Sequence, residues 1–128
     1  MERNRHEYLM EHACTAIFDA GNDNTVRHFA ALIALCSVIV SGDTLAMHIA
    51  LATKRRIVAL FGPTSAAEIE LYGLGEKLIP DIQCLVCYKE HCDFVPNCMD
   101  LISVDMVVAA VKRQLREVTV TSVNDRHP

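Results

Sequence analysis

Apolar and polar positions fall in blocks along this chain, and the blocks define its elements. Residues 36–40 are almost wholly apolar and run into the polar segment Ser41-Gly42-Asp43-Thr44. Apolar residues then recur at helical spacing over 44–52, with His48 one turn in. A second apolar run, 56–61, ends in Gly62-Pro63-Thr64. Short apolar runs bounded by turn residues read as buried strands. The order strand, turn, helix, strand, turn predicts a parallel β-α-β crossover. Ligands of such sheets sit outside the carboxyl ends of the strands. Both polar turns fall at those ends, so together they form a candidate binding edge.

The same reading extends outward. Residues 3–13 are expected to be helical, with a weak stripe at Tyr8, Leu9 and His12, and 15–18 form a short β-like run. Residues 19–24 have loop composition, and Thr25 is placed to cap a helix whose apolar positions are Phe29, Leu32, Ile33 and Cys36. The alternation through residue 61 is β-α-β-α-β, an α/β fold with a parallel sheet flanked by helices. Beyond Thr64, one or two helical turns over 65–72 end at Gly73 and Gly75, and 77–79 form another short strand. Residues 84–98 are a cysteine-rich loop. Ser103 starts the last helix, 104–117, with Met106, Val107, Ala110, Val111 and Leu115 on one face. Residues 119–128 are a polar tail, expected to fray.

Composition narrows the function classes. The 128 residues are 52% apolar and 22% charged, which suits one globular domain with its own core. A formal charge of -4 argues against nonspecific nucleic-acid binding, which needs a basic face. Three Tyr, four Phe and no Trp leave no base-stacking platform. The charged N-terminus lacks the apolar segment of a secretory signal, and no apolar run approaches the roughly 20 residues needed to span a bilayer. A cytoplasmic location is therefore expected. There, six cysteines favour free thiols or metal ligands over disulfides.

Three constellations carry candidate chemistry. Asp43 and Thr44 stand where a strand hands over to a helix, and outward N–H groups at a helix start attract anions. His48 lies four residues after Thr44, on the same helix face. A pyrophosphate with a sugar beside it suits this corner; a plain helix cap with a half-buried histidine is the competing reading. Gly62, Pro63 and Thr64 allow close backbone approach on a stiffened turn, or form an ordinary β-to-α turn. Cys84, Cys87, Cys92 and Cys98 could close a tetrahedral structural zinc site, or remain reduced thiols in a compact loop. Cys14, Cys36, Met47 and Met106 read as core residues. His6, His12 and His28 read as surface residues, and Glu68 and Glu70 as a solvated face. There is no Gly-x-Gly-x-x-Gly dinucleotide fingerprint and no Walker motif.

The residues around these turns carry a resemblance. The run from Phe29 through Ser41-Gly42-Asp43-Thr44-Leu45-Ala46-Met47-His48 to Phe61-Gly62-Pro63-Thr64 resembles the C-terminal half of glycosyltransferase family 9. These are the ADP-heptose:lipopolysaccharide heptosyltransferases and their relatives. The similarity continues through Glu68-Ile69-Glu70-Leu71-Tyr72-Gly73, the Cys-x2-Cys segment with Tyr88, Cys98-Met99 and the final helix.

The resemblance implies one Rossmann-like lobe of a two-lobed GT-B fold, the lobe that holds a nucleotide-sugar donor such as ADP-heptose. It places Gly42, Asp43, Thr44, Leu45 and His48 at the donor sugar and diphosphate, with Gly62, Pro63 and Thr64 beside them. It places Asn24 and Thr25 at the nucleobase pocket, and Glu2 or Glu7 near the ribose. The acceptor and the catalytic carboxylate belong to the other lobe, so no catalytic residue is expected in this chain, and transfer needs no cofactor. The implied setting is lipopolysaccharide or other surface glycan synthesis, with the full enzyme associated peripherally with the inner membrane. Leu45 stands where the heptosyltransferases carry a glycine, which narrows the approach to the sugar. One lobe of 128 residues is expected to be a truncated form, a fragment gene or part of a split enzyme, binding nucleotide diphosphates without turnover. The alternative from another class is a non-catalytic α/β interaction or regulatory module stabilised by a four-cysteine metal site.

Overall fold

The computed structural model describes residues 2–124, with side chains over residues 6–119. The elements follow in the order α1 (Glu2–His12), α2 (Val26–Leu35), β1 (Val38–Gly42), α3 (Leu45–Ala52) and β2 (Arg56–Leu60). A short 3-10 turn (Ala66–Glu68), β3 (Gly75–Leu78) and α4 (Val104–Asn124) complete them. The three strands form a parallel sheet in the order β1-β2-β3, with Gly42 opposite Leu60 and Ile57 opposite Gly75.

The central strand explains the layering. Successive side chains of a strand point to opposite faces. Ile57 and Ala59 enter one core with Met47 and Ala50 of α3 and Ile33 of α2. Val58 enters a second core on the other face with Leu78, Ile102 and Ala110 of α4. A strand covered on both faces must be apolar at nearly every position, and Ile57, Val58 and Ala59 are fully buried. The helix α2 begins as expected at Thr25, whose Oγ1 accepts from the His28 N–H at 3.3 Å. It ends where Cys36 turns extended and donates its N–H to the Ile33 carbonyl.

Polar bonds set the rotation of α4. Gln114 is buried, accepting from Arg56 Nε and donating to Glu76 Oε1, both at 2.9 Å. Arg113 reaches the same carboxylate at 2.7 Å. These bonds tie the helix to the start of β2 and to β3. At Gly75 the two strands come so close that a β-carbon would lie 1.9 Å from the Ile57 carbonyl oxygen.

Several expectations change. Residues 15–18 form no strand: Ile17 is 46% and Phe18 87% exposed, and among the described residues no strand pairs with them. The third strand lies instead at Gly75–Leu78, two residues earlier than the expected 77–79, because Gly75 is the residue that can approach Ile57. Cys14 and Cys36 are exposed, not core. Met47 is fully buried as expected, but Met106 is 39% exposed, on the same stripe of α4 as Arg113 at the margin of the sheet. The last helix runs past Glu117 to Asn124, through most of the expected polar tail; residues 125–128 lie outside the described residues. No helix among the described residues is long and apolar enough to cross a membrane.

Candidate functional site

Parallel pairing decides where the two polar turns go. With Gly42 opposite Leu60, the chain leaves both strands at the same rim of the sheet. Asp43 and Thr44 therefore stand next to the turn at Gly62, Pro63 and Thr64. The helix α2, which begins just after Asn24 and Thr25, packs on α3.

At the first corner, Thr44 holds the N-cap position of α3, yet its side chain makes no capping bond. Its hydroxyl pairs instead with Ser41 Oγ at 2.8 Å, and Ser41 Oγ donates to the Gly42 carbonyl at 3.0 Å. The plain-cap reading thus fails for the side chain: the Met47 N–H goes to the Thr44 carbonyl at 3.1 Å, and among the described residues no side chain accepts from the first turn of α3. One turn along, His48 Nε2 lies 3.7 Å from Asp43 Oδ1. That is too long for a hydrogen bond but within ion-pair range when the imidazole is protonated. The His48 side chain is 58% exposed and Asp43 25%, so the pair faces outward with its carboxylate sheltered. Leu45 is exposed at the same corner.

The second corner is compact. Gly62 is buried, and a β-carbon there would lie 2.7 Å from Cys98 Sγ. A hollow of about 160 Å³ opens beside the turn, lined in part by Gly62, Thr64, Ser65, Leu85 and Val86. Pro63 stands next to it, its carbonyl accepting from the Tyr88 N–H at 2.8 Å.

Asn24 lines a separate cleft of about 400 Å³ with His28, Leu32 and Leu35. Its side-chain amide is taken up within its own loop, donating to the Ala20 carbonyl at 2.9 Å. Glu7 is exposed, and the Glu2 side chain lies outside the described residues.

Cys84, Cys87 and Cys92 lie near enough to Cys98 to act on its thiol, but not in the arrangement of a metal site. Among the described residues no three His, Cys, Asp or Glu side chains are grouped to hold a metal ion. Cys98 is buried against Gly62 while Cys87 and Cys92 are exposed, and the expected tetrahedral four-cysteine site finds no support among the described residues. Burial first, then the neighbouring cysteines, push the Cys98 thiol above its ordinary range. Thiol character, not thiolate, follows for this residue. Sequence reasoning also missed the pairing of Glu68 with Tyr88: the Tyr88 hydroxyl donates to Glu68 Oε1 at 3.2 Å. Their separation of twenty residues leaves no local pattern to read.

The fold and this rim define an α/β protein with a polar edge at the carboxyl ends of two adjacent parallel strands. The family model for glycosyltransferase family 9 (heptosyltransferase) matches residues 10–97, more than half of the chain. The chain belongs to that family. It is 27% identical over 95 residues to a lipooligosaccharide heptosyltransferase 2 of Campylobacter jejuni subsp. jejuni serotype O:6 (strain 81116 / NCTC 11828), covering 72% of this chain and 30% of the relative. A protein of the same name from serotype O:2 (strain ATCC 700819 / NCTC 11168) is 26% identical over 98 residues, covering 74% and 31%. The chain thus spans about a third of the length of these curated relatives. No solved structure matches it.

Proposed function

We propose that this chain is the donor-side lobe of a glycosyltransferase and that it holds the diphosphate of a nucleotide sugar at the rim between β1 and β2. One observation carries the reading: the Asp43–His48 pair and the Gly62–Thr64 turn stand at the same end of neighbouring parallel strands. In transfer, the bond between the anomeric carbon and the diphosphate breaks, and negative charge develops on the departing phosphate. Groups aimed there stabilise that charge. The first-turn amides of α3, the Thr44 hydroxyl and a protonated His48 are suited to it. Asp43 orients the imidazole and accepts from a sugar hydroxyl. It is not the base that activates the acceptor, because it belongs to the diphosphate corner.

The relatives are named lipooligosaccharide heptosyltransferases, which supports heptose transfer to a lipooligosaccharide within surface glycan synthesis; the ADP-heptose-like donor is what the family resemblance implies. The remaining two-thirds of a family-length protein would supply the acceptor lobe and its catalytic base. The lobe alone therefore binds nucleotide without turnover, in the cytoplasm, and the complete enzyme works at the inner face of the membrane. No metal is needed for this chemistry in the present reading.

Calorimetric titration with ADP and ADP-sugars tests the proposal. ADP should bind, and His48→Ala should weaken it about tenfold, or ~1.4 kcal/mol. Silence with every nucleotide would sink the reading.

A further inference from the structure

The cysteine-rich segment makes contacts that a passive loop does not need. The Val86 N–H donates to the Gly62 carbonyl at 3.0 Å, and the Tyr88 N–H to the Pro63 carbonyl at 2.8 Å. Two alternate residues of this segment thus engage two consecutive carbonyls of the rim turn. Both donors sit in left-handed backbone, Val86 at φ 59° and Tyr88 at φ 51°. A β-branched valine rarely adopts that conformation, and it persists only where surrounding contacts over-determine it.

The tyrosine ring closes the circuit. Its hydroxyl donates to Glu68 Oε1 at 3.2 Å. Glu68 belongs to the 3-10 turn that directly follows Thr64 and Ser65. The rim turn is therefore bridged at its start through Gly62 and Pro63 and just beyond its end through Glu68. Cys98 Sγ is also packed against Gly62.

We infer that the segment around Val86 and Tyr88 is a clamp on the Gly62–Thr64 turn, and that Tyr88 and Glu68 are positioning residues for diphosphate binding there. The inference rests on the donor-binding reading given above. The physical reason is one of dipoles. With the Gly62 and Pro63 carbonyls turned into the clamp, their negative ends are occupied and do not oppose an anion at the rim. A turn free to rotate would lose that bias and would carry the ordering cost on binding. Tyr88 is suited to a latch that stays closed. Desolvation first, then the Glu68 charge, hold its phenol above the ordinary tyrosine value, so it remains a hydrogen-bond donor at neutral pH.

The test uses the whole chain with two readouts, residue-resolved amide exchange at Val86 and Tyr88 and calorimetric titration with ADP. In the unmodified protein both amides should exchange at least tenfold more slowly than those of Lys89 and Glu90 on the same exposed segment. Tyr88→Phe and Glu68→Ala should each lose about tenfold of that protection and weaken ADP binding at least threefold, with the melting temperature nearly unchanged. Glu68→Gln, which keeps an acceptor oxygen, should retain both. Loss of protection with ADP affinity intact overturns the positioning role and leaves a merely structural strap. Unprotected amides in the unmodified protein overturn the clamp, whatever ADP does. Protected amides with no ADP binding at all overturn the donor-binding reading, and the positioning role with it, while the clamp stands.

Discussion

Cys98 occupies the space that a side chain at Gly62 would need: a β-carbon on that glycine would lie 2.7 Å from Cys98 Sγ and 3.3 Å from Met99 Sδ. The glycine at this turn is therefore required by a neighbour from the far end of the cysteine-rich segment. Gly62→Ala should destabilise the fold by about 1–3 kcal/mol through overpacking. The double variant Gly62→Ala/Cys98→Ala should recover part of that loss, because alanine removes the sulfur in the way. Chemical denaturation of the unmodified protein, Gly62→Ala, Cys98→Ala and the double variant measures the coupling. Equal, additive losses would show that the contact is not what selects glycine.

Gly75 meets backbone rather than a side chain. A β-carbon there would fall 1.9 Å from the Ile57 carbonyl oxygen and 2.8 Å from its carbon, and a main chain in the middle of a sheet cannot step aside cheaply. Gly75→Ala should cost more than Gly62→Ala, about 3 kcal/mol or more, by parting β3 from β2. The measurement is the denaturation midpoint relative to the unmodified protein. A loss under about 1 kcal/mol would contradict the close strand approach.

Glu76 links β3 to α4 and makes stability depend on acid. The Arg113 guanidinium beside it holds its carboxyl below the ordinary value of 4.5; burial opposes this and Gln114 adds to it. A group with a depressed folded pKa stabilises the fold fully above its unfolded value. That contribution is lost as pH falls through the folded pKa. Glu76→Gln should therefore lower the melting temperature at neutral pH, and the difference should close as pH drops below about 4. A gap that stays constant into strong acid would mean the ion pair is not its source.

Thr25 caps α2 through a bond to the His28 N–H at 3.3 Å. Thr25→Ala should cost about 1 kcal/mol and Thr25→Ser very little. Thermal melts read the difference as a few degrees, on the order of 3 °C for a domain of this size. Indistinguishable melts for all three would remove the cap from the account of this helix.

How much of this was legible beforehand depended on the range of the interaction involved. Runs of apolar residues determine β1, α3 and β2, because burial on both faces of a strand demands consecutive apolar side chains and a helix repeats its apolar face every three to four residues. Thr25 and the Ser41–Thr44 turn were readable for the same reason: a cap and a turn satisfy backbone groups a few positions away. Residues 15–18 had the composition of a strand but no pairing partner among the described residues, and pairing is not a local property. The four cysteines had metal-like spacing, yet spacing along the chain does not set the geometry a metal ion needs, and among the described residues no such group forms. Cys98 went to Gly62, and Cys87 and Cys92 stayed exposed.

The sequence by itself determined the alternation of strands and helices, the two polar turns and the residues they carry. Only the tertiary structure decided that these turns share one rim, that Tyr88 reaches Glu68, and that Gly62 and Gly75 are places where another part of the chain comes too close for a side chain. The first set follows from periodicity and local hydrogen bonding. The second follows from contacts between residues distant in sequence, which only the folded packing selects.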